Sequence, residues 1–314
     1  MKGGECSIGP LSTRPAPPAV NALRRHWRDF VEQFLAPGLP LLLPHVASQR
    51  LLRRCARGPL FAEGVEAVTA AALAAGVAAG QADFEWRQRT ARLLDMGDAL
   101  GRARFARPPL DVEGDWPAPG TPFVALSFHF GTGLVGLAHL RRHGTPVAFV
   151  SRPHRRADYG AHPLRWWGAR ARLAGIAAAC GAPVVFTGGS YAVLRERLAA
   201  GTAVCGLIDT PLPPGRGALA AELHGRRVGL PGGLIRLARE AGVPVVVFSV
   251  TPDLDSGRRR LRIEPALPAD DAAAVVALAA RHLDARLREA PACWYFWHEL
   301  HALEHALGPD ALSS

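Results

Sequence analysis

The chain is predicted to be α/β, with a mostly parallel central sheet flanked by helices and a helical segment in front of it. Three observations carry that prediction. Short runs of β-branched and other apolar residues alternate with amphipathic stretches of 10 to 18 residues, the pattern of parallel strands joined by crossover helices. A cluster of prolines, Pro108, Pro109, Pro117, Pro119 and Pro122, separates this alternating part from what precedes it. Before the prolines the patterning is helical only. In chain order, residues 1–20 read as a proline-rich flexible arm. Residues 21–105 read as a helical segment, with helices over 21–35, 64–82 and 84–104. Strands are expected over 123–128, 147–151, 183–187, 203–208 and 243–250. Helices are expected over 134–143, 163–180, 191–200, 229–241, 271–289 and 292–306. The α/β domain thus spans 106–306, and 307–314 is a tail.

The composition narrows the chemistry. Of 314 residues, 49% are apolar and 20% charged, ordinary for a chain that buries a sizeable core. The net charge of +10 comes almost wholly from arginine, since Lys2 is the one lysine. A chain without an internal lysine has no Walker-type phosphate loop, no Schiff base and no Tyr-x-x-x-Lys pair. Asn21 is the one asparagine, so a Cys-His-Asn triad is excluded from the body of the chain. Cys6, Cys55, Cys180, Cys205 and Cys293 form no Cys-x-x-Cys pair and no zinc knuckle, and their odd, scattered placement fits a reducing compartment. Cys180 and Cys205 are expected to be small core residues. The arginines are dispersed through the α/β pattern and no nucleic-acid recognition module accompanies them.

No apolar stretch follows the N-terminal charge closely enough for a secretory signal. The most apolar segment, 34–46, is too short to span a bilayer and is broken by Pro37, Pro40 and Pro44. Arg24, Arg25 and Arg28 precede it, and Arg50, Arg53, Arg54 and Arg57 follow. Two readings stand: a monotopic anchor on an anionic membrane surface, or a loop packed on the protein's own core.

Two chemistries compete at one junction. Gly131-x-Gly133-x-x-Gly136 lies where a strand gives way to a helix, and the next strand ends in Ser151-Arg152. This is the context of a dinucleotide fold, with Arg152 on a 2′-phosphate, and it makes an NADP-dependent oxidoreductase an alternative. Against it stand the missing lysine, the bulky His129-Phe130 pair before the first glycine, and the long stretch of chain before the motif. In the other reading His129 is the functional group. It sits just past a buried strand and just before a helix, where open α/β sheets place their ligand crevice. An imidazole there takes a proton from a hydroxyl nucleophile, and free amides at the helix start face an oxyanion.

The residues that follow resemble the lysophospholipid and lipid A late acyltransferase family, the His-x4-Glu/Asp enzymes. His129-Phe130-Gly131-Thr132-Gly133-Leu134 is similar to the family's first block. Val150-Ser151-Arg152-Pro153, followed by Asp158-Tyr159, is similar to its Tyr-Arg-Pro segment. Gly206-Leu207-Ile208-Asp209 resembles its strand ending in aspartate. His224-Gly225 and the run from Gly232 to Val245 resemble its glycine-rich block, and Pro291, Tyr295 and Trp297-His298 its closing block. The likeness spans residues 95–300. It implies O-acyl transfer from acyl-coenzyme A or an acyl carrier protein to a hydroxyl of a lipid or glycolipid-like acceptor. It implies no metal or redox cofactor, and a place on the cytoplasmic face of the inner membrane as a peripheral protein.

The resemblance departs at Leu134, which stands where family members carry the acid that orients the histidine. Asp209 is expected to replace that acid, because it too ends a strand. If nothing replaces it, the chain is a weak or silent lipid-binding homologue. His129 is thus the expected general base and Asp209 its orienting acid. Arg152, Gly131, Thr132, Gly133 and Tyr159 are expected at the substrate, with amides near Gly131 on the oxyanion. Arg155, Arg156, Arg165, Arg170 and Arg172 are candidates for phosphates of donor or headgroup. Arg258-Arg259-Arg260 is expected at a solvent-facing hairpin tip, and Trp166, Trp167, Trp294 and Trp297 in the core or at a lipid interface.

Overall fold

The computed structural model describes residues 19–77, 81–101 and 108–307. Residues 1–18 of the expected arm and most of the tail lie outside the described residues, and residues 19 and 20 belong to the first helix. The helical segment opens with α1 (Ala19–Phe30), continues through a π-helical turn, Val31–Leu35, into the short α2 (Ala36–Gly38), and passes a 3₁₀ turn at Leu39–Leu42. Then come α3 (His45–Ala56), α4 (Ala62–Ala74) and α5 (Gln81–Leu100). Helix α3 was not expected, because three prolines obscure the periodicity just before it. Among the described residues no helix is long and apolar enough to cross a membrane.

The α/β part runs β1 (Leu110–Glu113), β2 (Val124–Ser127), α6 (Gly133–Arg142), β3 (Val147–Ser151), α7 (Pro163–Cys180), β4 (Val185–Phe186), α8 (Tyr191–Ala199), β5 (Ala203–Leu207), β6 (Ala218–Leu223), β7 (Arg226–Pro231), α9 (Gly233–Ala241), β8 (Val245–Pro252), β9 (Arg259–Ile263), α10 (Ala272–Glu289) and α11 (Leu300–His305). Seven strands form one sheet in the order β1-β9-β8-β2-β5-β3-β4. All neighbours pair in parallel except β8 and β9, which form an antiparallel pair. The mostly parallel sheet flanked by helices is therefore the observed fold.

Its two faces follow from the alternation along β2. Phe123 and Ala125 join Leu134, Leu137, Ile176 and Phe248 beneath α6 and α7. Val124, Leu126 and Phe128 join Ile235, Val276 and Leu283 beneath α9 and α10. Burial on both faces is why these strands read as continuous apolar runs. The second cluster also takes in Leu52, Val68, Phe84 and Leu94, so the N-terminal helices share the core of the sheet. Cys180 and Cys205 are buried within it, as expected.

Several expectations need correction. The helix expected over 229–241 starts only at Gly233; before it, β6 and β7 form a separate antiparallel hairpin. Its two turn residues, His224 (φ 52°) and Gly225 (φ 67°), both lie in the left-handed region that tight hairpins require. The helix expected over 292–306 is broken: 3₁₀ turns at Pro291–Cys293 and Trp297–Glu299 precede α11. Phe130 bridges Trp294 there, which pulls the chain out of helical geometry. Arg259 is no solvent-facing residue. It lies in β9 at 2% exposure, its guanidinium held by both oxygens of Asp98 at 3.0 Å. A paired charge of this kind is how a sheet accommodates a buried arginine.

Candidate active site

Strand β2 lies in the middle of the sheet between β8 and β5. After β2 the chain crosses to β3 on one side, and β8 later fills the other, so a crevice opens at the carboxyl ends of β2 and β5. Residues 128–132 span that crevice before α6. Their backbone is pinned on both sides. The Tyr295 N–H donates to the His129 carbonyl at 2.9 Å, the Gly131 N–H to the Cys293 carbonyl at 2.9 Å, and the Thr132 N–H to the Val250 carbonyl at 3.1 Å. The Tyr295 hydroxyl donates to the Gly131 carbonyl at 2.9 Å.

Asp209 stands two residues past β5 and is fully buried. His129 Nδ1 donates to its Oδ1 at 2.9 Å, and the His129 backbone N–H donates to Oδ2 at 2.8 Å. The Trp294 indole N–H also donates to Oδ2, at 2.9 Å. A carboxylate only accepts, so Nδ1 carries a hydrogen, and in the neutral ring Nε2 is the nitrogen with the lone pair. Phe296 stacks on the imidazole with centroids 3.7 Å apart and planes 13° apart, which fixes the ring plane. The His129 side chain keeps 28% exposure beside its sealed acid.

The ring lines a cavity of about 50 Å³ together with Ser127, Gly133, Leu134, Arg172 and Tyr295. Leu134 also lines a larger chamber of about 260 Å³, walled by Leu41, Leu43, Leu52 and Leu94 from the N-terminal helices. The position at which the resemblance expects an acid is thus an apolar partition between two cavities. The acid reaches the histidine from the neighbouring strand instead.

The other expected site residues divide. Gly133 lines the His129 cavity and opens α6, where a first-turn N–H has no helical carbonyl to meet. Gly131 borders the cavity, but its N–H is engaged by the Cys293 carbonyl, so the expected oxyanion amide at Gly131 is already bonded within the protein. Thr132 is fully buried and cannot present its side chain to a substrate. Arg152 is exposed on the loop after β3 and does not line the His129 cavity. Tyr159 bonds His154 Nδ1 at 2.5 Å on the same loop, and burial raises the phenol and lowers the imidazole from their ordinary values. Trp294 and Trp297 are buried, whereas Trp167 is exposed. Among the described residues no three His, Cys, Asp or Glu side chains come together as a metal site.

Two glycines of the Gly-x-Gly-x-x-Gly string, Gly131 and Gly136, answer to packing. Gly131 has φ 58°, and a Cβ there would overlap the Val250 carbonyl oxygen. A Cβ on Gly136 would stand 2.6 Å from the Phe248 ring.

Two further histidine–carboxylate pairs have similar hydrogen bonding in different settings. His162 Nδ1 donates to Asp29 at 2.8 Å, but Arg165 already holds the other oxygen of that carboxylate. Ser249, His282 and Glu264 form a triad-like chain, with 2.7 Å from Ser249 Oγ to Nε2 and 2.6 Å from Nδ1 to Glu264. Ser249 and His282 are 1% and 3% exposed, so the serine and the imidazole are sealed between β8 and α10, and only Glu264 reaches the surface. Phe296 escaped the sequence reading, because nothing local marks a residue 167 positions from the histidine as its stacking partner.

No family model and no curated protein matches the chain.

Proposed function

We propose that this chain transfers an acyl group from a thioester to a hydroxyl, with His129 as general base. The observation that carries the reading is the 2.9 Å bond from His129 Nδ1 to the buried Asp209, which leaves Nε2 as the base beside a cavity. Nε2 takes the proton of the acceptor hydroxyl as its oxygen attacks the thioester carbonyl. The tetrahedral oxyanion is met by first-turn amides of α6, reinforced by the positive end of that helix. Collapse breaks the carbon–sulfur bond, the thiolate takes the proton from the imidazolium, and an ester and a free thiol result. Asp209 stabilises the imidazolium while it exists.

The donor is acyl-coenzyme A or an acyl carrier protein, and the acceptor is a lipid or amphiphile. A peripheral place on an anionic membrane surface fits the N-terminal segment. Leu23 (73% exposed), Trp27 (60%) and Phe30 form an apolar stripe along α1, and Leu42, Leu43 and Val46 are exposed beyond it. Arg24 and Arg28 lie on the same helix as the stripe, the arrangement that holds an amphipathic helix to anionic lipid.

The dinucleotide alternative is weakened by the engaged Gly131 and Thr132 amides and by the packing that Gly131 and Gly136 satisfy. The test is thiol release from a long-chain acyl-coenzyme A with and without anionic vesicles. Release that disappears in His129→Ala supports the reading. Lipid binding that survives in both proteins, without any release, would make the chain a silent lipid-binding protein instead.

A further inference from the structure

Helix α11 carries chemistry that acyl transfer does not use. It reads Leu300-His301-Ala302-Leu303-Glu304-His305, so two histidines stand four positions apart with a glutamate between them. About one helical turn separates them, which puts both side chains on the same face. Leu300, Leu303 and Ala306 are buried, whereas His301 and His305 are exposed on the other side of the helix. The two imidazole centroids lie 4.0 Å apart. His305 Nδ1 donates to the His301 carbonyl at 2.8 Å. A carbonyl only accepts, so Nδ1 carries a hydrogen, and in the neutral ring Nε2 has the lone pair. His301 Nδ1 lies 3.4 Å from one oxygen of Glu304, and Arg226 of β7 donates to the other oxygen at 2.8 Å. The glutamate beside the first histidine is therefore anchored to the hairpin.

We infer that His301 and His305 chelate a divalent metal of zinc type through their Nε2 atoms. Two histidines four apart on a helix are a zinc-binding arrangement, and His-x-x-Glu-His is one of the spacings in which metalloenzymes use it. Ligating histidines give their other ring nitrogen to a carboxylate or a backbone carbonyl, which fixes the ring. Both partners are present here: Glu304 stands at His301 Nδ1, and the His301 carbonyl at His305 Nδ1. A pair of imidazoles suits zinc, copper or nickel; magnesium and calcium take oxygen ligands. With one oxygen on Arg226 and the other beside His301, Glu304 orients a ligand and is not free to activate water. Two protein ligands leave two of zinc's four positions to water or an outside ligand. The site stands apart from the acyl-transfer reading, since neither histidine lines the His129 cavity.

The test is a calorimetric titration of the untagged full-length protein with zinc chloride at neutral pH, with the ring resonances of His301 and His305 followed by NMR. A saturable zinc-binding event that moves both rings together is expected, and magnesium chloride should move neither. His301→Ala and His305→Ala should each weaken zinc binding by about tenfold or more, at least the loss seen when an outer partner of a ligand is removed. Both positions are exposed, so these variants should keep the wild-type unfolding midpoint in the absence of zinc. Glu304→Gln should weaken binding by about tenfold through the loosened His301 ring. His298→Ala, a neighbouring histidine outside the pair, should bind zinc as the wild type does. Absence of saturable zinc binding, affinity unchanged in both histidine variants, or loss in one of them alone overturns the chelate. The titration contains no thioester or acceptor, so its outcome and that of the thiol-release assay are independent.

Discussion

Asp209 meets the His129 ring from strand β5, not from the helix that follows the histidine. One carboxylate accepts the backbone N–H of residue 129 and its Nδ1, and the Trp294 indole holds it from behind. The acid therefore sets both where the histidine backbone sits and which ring nitrogen carries hydrogen. Replacing Asp209 by Asn should lower thiol release by as much as ~10⁴, as loss of an orienting acid does in a triad. Leu134→Asp should not restore activity, because residue 134 sits in the apolar core. Steady-state rates of the three proteins check this.

Trp294→Phe keeps most of the ring volume and removes one donor from the buried carboxylate. The expected destabilisation is about 2 kcal/mol, the size of a hydrogen bond to a charged group. Urea unfolding measures it, and an unchanged midpoint would mean that Asp209 does not depend on the indole.

Gly131→Ala combines a left-handed backbone with overlap on the Val250 carbonyl, and Gly136→Ala presses on Phe248. Both should destabilise by about 1–3 kcal/mol or more. Neither should alter protein fluorescence quenching by NADPH, because no quenching is expected in the wild type. Saturable quenching lost on Gly131→Ala would favour the dinucleotide reading.

Burial holds His282 below the ordinary histidine value, with Arg286 and Arg262 lowering it further and Glu264 opposing them. The unfolded chain protonates this residue near the ordinary value of about 6.5, and the folded chain takes the proton only at lower pH. Stability is therefore full above about pH 6.5 and declines as pH falls through the depressed folded value. His282→Gln should be less stable than the wild type at pH 7.5 and should lose less on acidification to pH 5.5. Parallel curves for the two proteins would count against a neutral His282.

Trp27→Glu, in the exposed stripe of α1, should release the protein from anionic vesicles without changing its unfolding midpoint. Sedimentation with vesicles at low and high salt reads this, and equal binding by both proteins would place the membrane contact elsewhere.

The sheet was legible because its strands are buried on both faces and advertise themselves as apolar runs; β3, α7 and β5 emerged close to their sequence bounds. Strands β1 and β9 were not, since Asp111, Glu113, Arg258, Arg260 and Arg262 are charges that pair across an edge. Their polarity looks like a loop until the partner is known. The last three residues of β7, 229–231, read as the start of the helix expected over 229–241 because they run directly into α9, and β6 was not expected. At the site, His129 and Asp209 were legible as two groups that each end a central strand. Phe296 and the Leu134 partition were not, because tertiary packing alone assembles them.

The most direct test is thiol release by the wild type, His129→Ala, Asp209→Asn and the double variant. If the two residues act as one unit, the double variant should be no slower than His129→Ala alone. Rates that fall by the product of the two single effects, or that ignore both substitutions, would contradict the account.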